Sequence, residues 1–77
     1  MIVGVGKRVR IAYHLHYDVV GRVKASTPQL LTIQIENCYV PGTTTEFVSE
    51  HSTMVKTHQG GVMSWLWEPN LISRIED

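Results

Sequence analysis

Two short alternating runs constrain this chain more than any other feature. Residues 9 to 13 read Val9-x-Ile11-x-Tyr13, and residues 31 to 36 read Leu31-Thr32-Ile33-Gln34-Ile35-Glu36. Between them lies Val19-Val20-Gly21-Arg22-Val23. A period of two puts apolar side chains on one face of a strand and polar ones on the other. Three such segments in the first half of a short chain point to a small all-β barrel.

The boundaries follow from the punctuation. Strand one runs over about residues 7–13, with Val9, Ile11 and Tyr13 inward and Arg8, Arg10 and Ala12 outward. His14-Leu15-His16 forms a turn, and strand two covers about residues 18–25. Gly21 sits in mid-strand, where glycine marks a bend, a bulge or a close backbone approach. Ser26-Thr27-Pro28-Gln29 is a turn in which proline presets φ and no amide is needed. Strand three spans about residues 30–40. Its inward set begins odd (Leu31, Ile33, Ile35) and becomes even (Cys38, Val40), which requires a bulge near Asn37.

Residues 43–57 fit two patterns. Phe47, Val48, His51, Met54 and Val55 recur at helical spacing, and Thr43 with Glu46 fits a capping box. The many β-branched and hydroxyl residues favour an extended arm, and strand is the preferred reading. Residues 62–67 read as a strand, Glu68-Pro69-Asn70 as a tight turn and residues 71–75 as a last strand.

The 77 residues make a single domain, 1–77. A core of this size yields little net stability unless disulfides, a metal or oligomerisation supplement it. With Cys38 the only cysteine, no intrachain disulfide forms, and no Cys/His cluster has zinc spacing. Oligomerisation remains. His14 and His16 read as turn residues in solvent, and Cys38 as a small buried hydrophobe. No metal or cofactor is expected. Neither a Ser/His/Asp order, nor paired carboxylates, nor a phosphate-cradling loop is present, so the chain reads as non-catalytic.

Net charge is zero, but its distribution is uneven. Residues 1–24 carry Lys7, Arg8, Arg10, Arg22 and Lys24 against Asp18, and the remainder is acidic by the same margin. That asymmetry builds a basic face or lets one subunit's basic edge meet another's acidic edge. The opening residues lack the basic region of a signal peptide, and no stretch approaches membrane-spanning length. A soluble cytoplasmic protein is the expectation.

Gly21 lies twelve residues after Val9, with Ile11, Tyr13 and a turn between them. Near the other end, residues 62–67, a three-residue turn and a strand with Ile72 and Ile75 three apart complete a second pattern. In both patterns and in length the chain resembles the Sm-like (LSm) family. The resemblance implies a five-stranded, strongly bent antiparallel barrel. It also implies a homo-oligomeric ring of about five to seven copies, closed by strand four of one subunit pairing with strand five of the next. Other SH3-like barrels share the strand–turn–strand–glycine pattern.

The family's uridine-binding members carry Asp and Asn in the second turn and Arg-Gly in the last. Here these positions hold Ser26-Thr27-Pro28-Gln29 and Glu68-Pro69. Altered or lost uridine selectivity follows, because a carboxylate near a pore repels phosphate. Small divergent chains of this kind also occur in phage and other mobile DNA. The expected function is a ring protein that binds single-stranded RNA. In it, Thr27, Gln29 and Asn70 face the pore, and Arg8, Arg10, Arg22 and Lys24 neutralise phosphates. Trp65, Trp67 and Ile72 are expected at the subunit interface. The alternative is an SH3-like interaction module that holds a partner segment against Trp65, Trp67 and a sheet edge.

Overall fold

The computed structural model describes residues 4–66 and 72–75. The chain is mostly β: antiparallel strands form a curled half-barrel with one short helix. The strands are β1 (Arg8–His14), β2 (Tyr17–Ser26), β3 (Leu30–Tyr39), β4 (Val62–Leu66) and β5 (Ile72–Ile75). Helix α1 (Glu50–Thr57) and a 3-10 turn (His58–Gly61) lie between β3 and β4. The sheet order is β4-β3-β2-β1-β5, so β4 and β5 are its two edges.

The alternating runs pack as their period requires. Val9, Ile11, Val19, Val23, Leu31, Ile33 and Cys38 are all fully buried, and Ile72 of β5 joins them. Tyr13, Ile35, Phe47, Val55, Met63 and Trp65 are half-buried against this cluster. β1 turns into β2 through Leu15 and His16, with His14 opposite Tyr17. Beyond β1 the backbone stays zipped: Gly6 N donates to Val23 O at 2.8 Å, and Val23 N donates to Lys7 O at 2.9 Å.

Gly21 is needed for close approach. It lies opposite Ile35, and a Cβ there would sit 2.3 Å from the Gln34 carbonyl oxygen. Val20 pairs with Asn37 while Gly21 pairs with Ile35, which leaves Glu36 as the extra residue of a bulge. The parity change read at Asn37 is therefore a real register shift. It turns Cys38 inward. Val40, expected inward, lies just past the strand and is 36% exposed. The carbonyl of Val40 accepts from Thr43 N and Thr43 Oγ1, so the chain is already turning there.

The preference for an extended arm over residues 43–57 is corrected. Only residues 45–47 lie along β3, through a bridge from Glu46 to Tyr39 and a bond from Phe47 N to Cys38 O. Glu50 to Thr57 then form α1. The capping box is Ser49 with Ser52, not Thr43 with Glu46. Ser52 N donates to Ser49 Oγ at 3.1 Å, and Ser49 N donates to Ser52 Oγ at 2.9 Å. Thr43 instead uses its hydroxyl within its own turn, accepting from Thr45 N at 3.1 Å. β-Branched residues in α1 cost helix propensity, offset here by the cap, by Lys56 reaching Glu46 at 3.2 Å and by Val55 against the core. The expected turn at Glu68-Pro69-Asn70, together with Trp67, lies outside the described residues.

Candidate binding surfaces

The sheet's outer face gathers the arginines of the first two strands. Arg8 of β1 lies directly opposite Arg22 of β2. Like charges in a cross-strand pair repel. The bulge residue Glu36 lies between them: Arg8 Nε is 3.0 Å from Oε1, and Arg22 Nε is 3.4 Å from Oε2. Arg22 also donates to Gly6 O at 3.0 Å. Arg10 Nε bonds Asp18 Oδ2 at 2.8 Å, its Nη2 reaches Val40 O at 3.2 Å, and its guanidinium lies 5.5 Å from the centre of the Tyr39 ring. Asp18 is buried and also accepts from Gly42 N at 3.4 Å. The three arginines expected to meet phosphate thus already hold carboxylates, while Lys24 is exposed on β2. The uneven charge of the sequence is answered partly within one chain, Glu36 from its acidic part meeting Arg8 and Arg22 from its basic part.

Thr27 and Gln29 are exposed in the β2–β3 turn. Thr27 Oγ1 accepts from Leu30 N at 2.9 Å and from Gln29 N at 3.3 Å, so its oxygen shapes the turn. Trp65 is half-buried with its ring 4.6 Å from that of Tyr13, and Ile72 is 7% exposed within this chain's own core. Asn70 and Trp67 lie outside the described residues. On the β4 edge Leu66 stays 64% exposed opposite Leu30, itself 42% exposed.

A second surface forms where the β1–β2 turn meets the start of α1. His14, His16, Tyr17, Phe47, Ser49 and His51 line a cavity of about 260 Å³. Tyr17 forms its floor, stacked on His14 at 5.1 Å and on Phe47 at 5.3 Å, each pair 17° from parallel. The His14 ring lies 5.4 Å from His16 and 5.7 Å from His51. Sequence reasoning left these histidines apart because the contact joins a hairpin turn to a helix more than thirty positions away. The helical spacing that includes His51 was the available signal.

The chemistry of this cavity is set by its rings. His16 N donates to His14 Nδ1 at 3.2 Å, so the neutral His14 imidazole carries its proton on Nε2. That lone pair is thereby occupied, and among the described residues no group of three His, Cys, Asp or Glu side chains is placed to hold a metal. The Tyr17 hydroxyl is buried with no hydrogen-bond partner among the described residues. Burial, then the neighbouring Tyr13 and Cys38, push its pKa from 10.0 to about 12. Burial likewise pushes the Cys38 thiol up, so it stays a thiol, with Sγ 4.0 Å from Ser52 O.

No helix among the described residues is long and apolar enough to cross a membrane. No protein-family model matches the chain, and neither the curated proteins nor the solved structures contain a match to it.

Proposed function

We propose that this chain is a non-catalytic, self-assembling Sm-like module whose copies join edge to edge into a closed ring of about five to seven subunits. The observation that carries the reading is the strand order β4-β3-β2-β1-β5, which leaves one edge strand from each end of the sheet. Such edges expose unpaired N–H and C=O groups that invite another strand, and a ring satisfies all of them. The exposed Leu66 and Leu30 at the β4 edge add apolar area for such a seam. Self-association also supplements a core too small to be amply stable alone.

Single-stranded RNA is the ligand this reading carries, with Lys24 among its exposed cations. The pairing of Arg8, Arg10 and Arg22 with Glu36 and Asp18 lowers the charge available to phosphate, which favours weak, salt-sensitive binding. The SH3-like alternative uses the same edges: a monomer whose β4 edge and Trp65 receive an extended segment of another protein.

A native mass spectrum of the purified chain tests the proposal. A closed oligomer supports the ring, and added nucleic-acid mass supports RNA as ligand. A monomer at all concentrations overturns the ring and leaves the interaction module.

A further inference from the structure

From the cavity between the β1–β2 turn and α1 we infer a binding site for one neutral, planar heteroaromatic ring of the nucleobase class. Among the described residues, five of the six that line it carry rings: His14, His16, Tyr17, Phe47 and His51. Its volume of about 260 Å³ lies below that of pockets for drug-sized ligands and suits a single flat ring. Among the described residues no Lys, Arg, Asp or Glu lines it, so these residues recognise the occupant by stacking and hydrogen bonds and not by charge. Bases stack readily on aromatic and imidazole faces, whatever their sequence.

The polar groups also match. His14 presents Nε2–H as a donor because its Nδ1 already accepts from His16 N. A base offers carbonyl oxygens and ring nitrogens as acceptors for that proton. The imidazoles of His16 and His51 each supply one donor and one acceptor, as base edges do. A transition metal is the weaker occupant. It would have to displace the bond at His14 Nδ1, and no group of three His, Cys, Asp or Glu among the described residues is placed to hold a metal. The rings that would hold the base are themselves held, since Tyr17 stacks on both His14 and Phe47. A preformed stack lowers the ordering cost of binding. Its described lining residues belong to β1, β2, the β1–β2 turn, the arm before α1 and α1 itself, not to the edge strands β4 and β5, so the inference does not rest on ring assembly.

The test is an NMR titration of the full chain with adenosine, with uridine, and with single-stranded hexamers of each. The probes are the imidazole protons of His14, His16 and His51, with His58 beyond the cavity as the internal control. The expected result is a saturable shift of the three cavity histidines, with His58 unmoved. His51→Ala then weakens binding by about tenfold or more. His16→Ala, altered in an exposed turn, repeats the measurement if His51→Ala loses its dispersed amide spectrum. Nucleosides bound as tightly as hexamers identify a free nucleoside as the source. Tighter, salt-dependent hexamer binding with the same shifts identifies a base of single-stranded RNA. No saturable shift at low millimolar probe, or shifts unchanged in both variants, overturns the site. Hexamer binding that leaves the cavity histidines unmoved overturns it too. A monomeric chain that still shifts these histidines would refute the ring alone.

Discussion

Replacing Tyr17 with phenylalanine removes one oxygen and keeps a ring stacked on His14 and on Phe47. That oxygen is buried without a hydrogen-bond partner among the described residues. Burying an unsatisfied polar group costs about 1–3 kcal/mol. The variant gives up little in return, because the stacked ring and its packing stay. Tyr17→Phe is therefore expected to be more stable at neutral pH by about 1 kcal/mol. For a small domain this moves a urea midpoint up by about 1 M, or a melting temperature by about 4–8 °C.

The alkaline limb carries a second signature of the same atom. The folded chain holds the Tyr17 proton to about pH 12, against 10.0 for the ordinary phenol, first because of burial. Between those values the unfolded chain has lost the proton and the folded chain has kept it. The associated stability is complete below pH 10 and is lost as pH rises toward 12, at up to about 1.4 kcal/mol per pH unit. Urea titrations of both proteins at pH 7, 9, 10 and 11 measure both effects. Tyr17→Phe should lose less stability above pH 10. A variant less stable at pH 7 would show that the hydroxyl is a net contributor, and an unchanged alkaline decline would acquit Tyr17 of it. Either result would show that the buried hydroxyl does not carry the cost assigned to it.

Three further substitutions probe other contacts. Gly21→Ala drives a Cβ to 2.3 Å from Gln34 O and should cost about 3 kcal/mol, seen as a large drop in melting temperature; an unchanged melt contradicts the close approach. Asp18→Asn withdraws the carboxylate that holds Arg10 and accepts from Gly42 N. It should destabilise by about 1–3 kcal/mol in urea and speed exchange of the Gly42 amide; a loss below that range would mean solvent replaces the pair. Ser49→Ala removes the cap of α1 and should cost about 1 kcal/mol. Amide exchange localises it, with Ser52 faster and the β2 amides unchanged, and equal loss across the sheet would speak against a local cap.

β1 and β3 were legible because each carries a period of two. The parity switch from Ile35 to Cys38 even located the bulge, since a strand can change its inward set only by gaining a residue. Helix α1 was less legible because its sequence barely declares a face: Ser52 is its one buried residue, and Val55 is only half-buried. Its cap uses Ser52 in place of an acid, so only the Thr43–Glu46 spacing read as a capping box. The roles of the arginines were hidden for another reason. Outward alternation puts Arg8 and Arg22 on a face but says nothing of Glu36, whose position between them depends on the bulge. The ring-lined cavity was hidden most deeply, because it exists only once the β1–β2 turn lies against α1.

The pairing of β5 with β1 also has a consequence for how the chain folds. β1, β2 and β3 are successive hairpin partners, so their closure is local and entropically cheap. Ile72 can cover Ile11, its partner in register, only when opposite ends of the sequence meet. Such non-local contacts are slow to form. The three-stranded meander is thus the natural nucleus, and β5 is a latch that closes last. Until it does, β1 remains an open edge, and a neighbouring molecule's β5 fits that gap as well as the chain's own. Concentration during refolding therefore governs whether the latch closes within one chain or between two.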